Sequence, residues 1–339
     1  MSTDYLKNNF FKIYIISIFF CSIIILYNKF LYPTDWTTSE WLINYHGGFV
    51  RRGLTGELIL LANTVVETNP RNLVFIFGIL ILLTYYTLII RFIKKIDFSP
   101  LLILIIFSPL GFIYPIAEIE TLARKEILFF CIYIIFLTSL IHKNLKLTFF
   151  IIIFLIPLMN LIWDGMIFYL FFFVFSYLNY KKNLKIKELV FFLLSFIPYL
   201  VSLYFVIMTK ATQESMTLMC SAIGEPCFGA MNFLDQSLKF QINYGVSKFK
   251  LEYLIRHLAI FSVCFFPIII LFKNKNNLFY QYIICVIPTF LFFYISYDWG
   301  RYLNILYTFS MLTLIFFIKN NTIDISNISL NKFLVKLSE

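Results

Sequence analysis

Residues 147–179 read LTFFIIIFLIPLMNLIWDGMIFYLFFFVFSYLN, thirty-three positions in which Asp164, followed by Gly165, is the only charged side chain. Lys143 and Lys146 stand before the run, and Lys181 and Lys182 stand after it. Lysine beside an apolar segment marks the cytoplasmic side of a membrane. Both ends therefore belong to one side, and the chain must turn back at Asp164-Gly165. A full helical crossing needs roughly 20 apolar residues. The arms 147–163 and 166–180 are shorter, so the turn is expected to lie recessed below the far surface. A carboxylate at that depth is costly, and it is either functional or paired with an arginine.

The same pattern extends in both directions. Of the 339 residues, 60% are hydrophobic and only 14% charged, and mean hydropathy is +0.85. A soluble domain is nearer half apolar and a quarter charged, so this excess belongs in lipid. Phe, Ile, Asn and Lys are abundant as in an AT-rich gene, and much of the Phe content reflects that bias. Ten candidate spans follow: 10–28, 73–93, 99–117, 126–142, 147–163, 166–180, 188–208, 257–272, 278–296 and 303–318. The first lacks a signal-cleavage site behind it and reads as a retained span. The expected fold is an all-α polytopic membrane protein, with several short helix pairs joined by recessed outer turns. The whole chain, 1–339, forms one integral membrane domain, and loops 29–72 and 209–256 form a cap outside it.

Lysines alternate between loops at every step, which fits one topology with both termini cytoplasmic. Fifteen lysines fall on that inner side, yet six of the seven arginines fall on the outer side. The net charge of +10 is thus a topology signal against lipid headgroups, and nucleic acid is not an expected partner. Arginine against the positive-inside trend is more informative. Its planar fork binds carboxylate or phosphate with two parallel hydrogen bonds, which lysine cannot do.

Five outer segments carry the polar groups. The first loop holds Asp35-Trp36, Glu40-Trp41 and His46-Gly47-Gly48-Phe49-Val50-Arg51-Arg52-Gly53, with a short interfacial helix over 57–67. Glycines allow close backbone approach, and paired arginines beside them make an anion site of the charge of a pyrophosphate. Trp36 and Trp41 serve either a ligand or an aromatic belt, and His46 is a minor candidate. The second segment is Glu118-Ile-Glu120-Thr-Leu-Ala-Arg124-Lys125-Glu126. It is either a solvated turn or a partner of the first loop through Arg124. The third is Asp164-Gly165. The fourth, about 209–256, contains Cys220 and Cys227, a plausible disulfide in an oxidising compartment, then amphipathic surface helices over 231–254. The fifth is Tyr297-Asp298-Trp299-Gly300-Arg301, with Asp298 and Arg301 one turn apart.

Together these groups have the parts of a transferase. Arginines hold a diphosphate leaving group, an acid among Asp35, Asp298 and Asp164 deprotonates a hydroxyl, and aromatics stack on sugar or cover the rim. Such a site takes a saccharide from a polyprenyl diphosphate. The chain has no CxxC pair and no GxxxxGK[ST] phosphate loop, and neither metal nor cofactor is expected.

The stretch Asn44-Tyr45-His46-Gly47-Gly48-Phe49-Val50-Arg51-Arg52-Gly53-Leu54, with Asp298-Trp299-Gly300-Arg301, resembles membrane proteins of bacterial surface-polysaccharide gene clusters. In size and Phe-rich style the whole chain is similar to O-antigen and capsule repeat-unit polymerases. The resemblance implies a multi-pass glycosyltransferase of the bacterial inner membrane that joins undecaprenyl-diphosphate-linked repeat units for lipopolysaccharide or capsule. It implies Arg51, Arg52 and Arg301 as diphosphate ligands, membrane lipid as surroundings, and a chain-length regulator or flippase as partner. An early acid in the first outer loop is the habit of glycosyltransferases with lipid-linked donors, which puts Asp35 first as base. The rival readings are a flippase or transporter of lipid-linked sugars, a glycosyltransferase with a lipid-phosphate monosugar donor, and an acyl- or phosphotransferase. A transporter would want polar groups along the span centres, whereas most spans here are apolar through their middles.

Overall fold

A computed structural model describes residues 3–32, 36–94, 96–181, 185–273 and 275–324. Among them the regular structure is helical throughout, with no strand. In hydrocarbon every backbone N–H and C=O needs an internal partner, and a helix supplies one within each segment. In chain order the helices are α1 (Thr3–Leu31), α2 (Trp36–Leu42), α3 (Leu54–Val66), α4 (Pro70–Ile93), α5 (Pro100–Ile106), α6 (Tyr114–Ala117) and α7 (Glu126–Ile141). They continue with α8 (Leu145–Ile162), α9 (Leu170–Tyr180), α10 (Ile186–Met208), α11 (Gln213–Ile223), α12 (Leu238–Lys248), α13 (Leu251–Lys273), α14 (Asn276–Ile295) and α15 (Trp299–Lys319).

Seven of these, α1, α4, α8, α10, α13, α14 and α15, are long and apolar enough to cross a membrane. The protein is therefore a polytopic α-helical membrane protein. Three expected spans take other forms. The segment expected at 126–142 is the 16-residue apolar helix α7. The arm 166–180 begins as the 3-10 turn Asp164–Tyr169 and continues as α9, 11 residues long. The segment 99–117 is not one helix: α5 and α6 flank a loop containing Ser108, Pro109 and Gly111. Pro109 cannot supply the N–H that would continue α5. The loop is held instead by Asn304 of α15, whose Nδ2 donates to Leu110 O at 2.8 Å and to Gly111 O at 3.3 Å.

Two other irregularities have sequence causes. α8 carries a π turn over Ile151–Leu155, two residues before Pro157. The missing proline N–H and the clash of its ring with the preceding turn are accommodated by such a widened turn. α14 tightens to a 3-10 turn at Ile287–Thr289, around Pro288.

α15 is the axis of the bundle, with 89% of its apolar window buried against 22–39% for the other six long helices. Those six turn apolar faces outward, as lipid-facing helices do. Lipid tails are as apolar as leucine, so the hydrophobic effect does not press helices together in a membrane, and packing and interhelical hydrogen bonds do. Tyr133 of α7 supplies such a bond, 2.6 Å from Thr313 Oγ1 and 2.9 Å from Ser176 Oγ. Tyr282 of α14 donates to Ser310 of α15 at 2.9 Å.

The segment from α2 to α3 and the segment around α11 pack on each other. Trp41, Ile43, Val50 and Ile59 form a buried cluster with Met216, Met219, Ile223, Phe228 and Met231. Each large apolar side chain withdrawn from water there contributes about 1.5–3 kcal/mol. Ser39 Oγ accepts the Ala230 N–H at 2.7 Å, fixing α2 against the segment that follows α11.

Candidate functional site

α2 is a seven-residue helix, six of whose residues are buried. Glu40 lies on it at 0% exposure. A buried carboxylate needs positive partners, and the chain brings four from three segments. Arg52 Nη1 lies 3.4 Å from Glu40 Oε1, and Arg124 Nη1 lies 3.8 Å from Oε2. Arg301 and the fully buried Lys125 add their charges. Burial alone pushes the Glu40 carboxyl up, but Arg301, Arg124, Arg52 and Lys125 together outweigh it and hold the group charged.

Arg52 also joins this carboxylate to the Asp164 turn. Its Nε donates to Asp164 Oδ1 at 2.6 Å, and Arg51 Nη1 is 3.6 Å from Asp164 Oδ2. Burial raises the Asp164 carboxyl, and the two arginines more than reverse that. Arg52 has φ +66°, in the left-handed region that side chains with a Cβ seldom adopt. Lys125 Nζ donates to the Arg52 carbonyl at 2.7 Å and fixes that peptide. Burial drags the Lys125 ammonium down to about 7, against the pull of Glu40.

Arg301, at the start of α15, donates both Nε and Nη2 to Glu126 Oε1 and donates Nη1 to Asp298 Oδ2 at 3.0 Å. Beside this pair lies a partly enclosed cleft of about 40 Å³. Arg124, Glu126, Arg301 and Asn304 line its polar side, and Leu82, Tyr85, Phe112, Ile127, Phe130 and Ile305 line its apolar side. Arginines thus meet an apolar cleft among α4, α7 and α15. The acids hold the guanidinium groups in place.

The candidates named from sequence divide accordingly. Arg51, Arg52, Arg124, Arg301, Asp164 and Asp298 enter the ion-pair network. Asp35 lies outside the described residues. Trp36 packs against Phe233 with ring centres 5.0 Å apart. Gly47 lies against the Ser215 backbone, where any Cβ would overlap the carbonyl. Gly48, at φ +104°, donates its N–H to Tyr45 O at 2.9 Å. Their glycine identity is thus explained by packing and turn geometry. His46 is exposed, with its backbone N–H on Asn44 Oδ1. Cys220 and Cys227 form a disulfide, Cα–Cα 5.4 Å.

Glu40, Lys125 and Glu126 were given no role from sequence, yet they are among the most buried charges in the network. Glu40 stands between two tryptophan-bearing turns and reads as part of an aromatic belt. Lys125 and Glu126 sit in a charged turn. The available signal for Lys125 and Glu126 was their position at the edge of an apolar run, where a charge is either solvated or committed to a partner. Comparison with protein-family models, with curated proteins and with solved structures finds no match to this chain.

Proposed function

We propose that this protein is a glycosyltransferase of the bacterial inner membrane, which transfers a saccharide from a polyprenyl diphosphate to a sugar hydroxyl at the outer face. Polymerisation of O-antigen or capsule repeat units is the reaction of this type that we assign. In the proposed topology the short helices complete ten passes, both termini are cytoplasmic and the network faces the periplasm under the cap of loops 29–72 and 209–256.

One observation carries the reading. Arg51, Arg52, Arg124 and Arg301 come from three separate segments to one network, and two of them line a cleft whose other wall is apolar. A lipid diphosphate has both features, an anionic head and an isoprenoid tail. Guanidinium groups fixed in advance by Glu40, Asp164 and Glu126 would stabilise charge developing on the leaving diphosphate without reorganising.

Deletion of the gene, followed by chain-length analysis of the surface polysaccharide, tests this. The expected result is glycan of single repeats, restored to long chains by the wild-type gene and not by Arg301→Lys. Unchanged long chains in the deletion strain would sink the reading.

A further inference from the structure

Four acids meet the arginines of the network, and their oxygens are not equally occupied. Asp164 offers each oxygen to an arginine. Glu126 differs. Both donors of Arg301 that reach it, Nε and Nη2, converge on the one oxygen Oε1. Oε2 is buried and has no hydrogen-bond partner among the described residues. An unpaired buried carboxylate oxygen costs free energy and calls for a donor. Glu126 also lines the cleft, with Arg124 and Arg301 beside it.

Glu40 shares one of these features, since its Oε2 also lacks a hydrogen-bond partner among the described residues. It does not line the cleft. It is also surrounded by four cations that favour its charged form. Asp164, with an arginine at each oxygen, also lies outside the cleft lining. Asp298, at 39% side-chain exposure, is open to water and also lies outside the cleft lining.

We infer that Glu126 Oε2 accepts the proton of the attacking sugar hydroxyl, with Arg301 anchoring the other oxygen so that the carboxylate plane is fixed at the cleft. This rests on the transferase reading above. In the step, the hydroxyl oxygen forms a bond to the anomeric carbon of the donor. The bond from that carbon to the diphosphate oxygen breaks, and its electron pair leaves with the lipid diphosphate. The hydroxyl proton passes to Glu126 Oε2. Arg124 and Arg301 flank the cleft and face the charge that develops on the leaving group. Glu126 is thereby a catalytic residue, and Arg301 both positions it and binds the anion.

The test uses the full-length protein in detergent, with lipid-linked repeat units extracted from the deletion strain as substrate and undecaprenyl diphosphate as the binding probe. Glu126→Gln keeps an oxygen for Arg301 and removes the base. It should be protected from heat aggregation by undecaprenyl diphosphate as the wild type is, yet polymerise about a hundredfold or more slowly. Glu126→Asp should recover part of the rate. Polymerisation by Glu126→Gln at the wild-type rate would overturn the assignment. So would joint loss of binding and polymerisation in Glu126→Gln, which would mean that Glu126 only positions Arg301. If undecaprenyl diphosphate does not protect the wild-type protein, the transferase reading itself falls.

Discussion

Arg52 and Asp164 stand 112 positions apart in the chain and meet through a 2.6 Å hydrogen bond from Nε to Oδ1. One lies in the loop between α2 and α3, the other at the turn that ends α8. The bond ties the first loop to the membrane bundle, and Glu40 on the far side of Arg52 extends the tie to α2.

Removing one partner of a buried ion pair leaves an uncompensated charge and costs about 3–5 kcal/mol, against far less for a pair exposed to water. Asp164, at 18% side-chain exposure, belongs nearer the buried case. Asp164→Asn is expected to lower the thermal midpoint of the purified protein by several degrees. Arg52→Lys loses the fork that reaches both Asp164 and Glu40, so it should be more damaging than Arg51→Lys, whose contacts are longer. Equal midpoints for the two lysine variants would contradict this ranking.

Lys125 makes stability depend on pH. Its ammonium titrates at about 7 in the folded protein and at the ordinary 10.5 in the unfolded chain. Between those values the unfolded chain binds a proton that the folded protein does not, so stability falls as pH is lowered from about 10.5 toward about 7 and levels off below. The slope from one such group is at most about 1.4 kcal/mol per pH unit. Lys125→Met removes this dependence together with the hydrogen bond to Arg52 O. Midpoints measured from pH 7 to pH 10 should rise more steeply for the wild type than for Lys125→Met. Parallel curves would show that Lys125 is charged in the folded protein.

The disulfide closes a loop with a sequence separation of 7. Inside it, Glu225 accepts a bifurcated hydrogen bond from Arg71 Nε, 2.6 Å to Oε1 and 2.8 Å to Oε2, and just beyond it Phe228 lies under the Arg71 guanidinium at 4.8 Å. A loop this short stabilises by about 2–3 kcal/mol in the chain-entropy account. Reduction, or Cys220→Ser with Cys227→Ser, should speed hydrogen exchange over 213–234 while the long helices stay protected. Uniform loss of protection would mean that residues 213–234 and the bundle unfold as one unit.

Reporter fusions after Pro70 and after Lys250 check the proposed topology. Both are expected to report the periplasm, and a cytoplasmic signal at either would reverse the assignment of the arginine-rich face.

Much of this architecture is a local property of the chain and is legible without coordinates. Whether a window of about 20 residues forms a membrane helix depends on its own side chains, so α1, α4, α10 and α15 lie close to where hydropathy puts them. The break at Asp164 falls where lysines at both ends of one run put a turn, and Cys220 and Cys227 are close enough in sequence to be read as a pair. Even the arginine excess on one set of loops is visible by inspection.

What hydropathy misses is anything that depends on a neighbour. The break within 99–117 is stable because Asn304, some 194 positions from Leu110, caps its free carbonyls. Glu126 and Arg301 are 175 positions apart, and no window of sequence contains both. Glu40 looks like any acid in a surface loop until α2 is pressed under the segment that follows α11 and four cations close over it. The sequence by itself determined where most of the long helices lie and where the run 147–179 breaks, because hydrophobicity and backbone satisfaction act over a few turns. Tertiary structure alone decided which charges are buried together, since a carboxylate can leave water only where packing has already delivered its counter-ions.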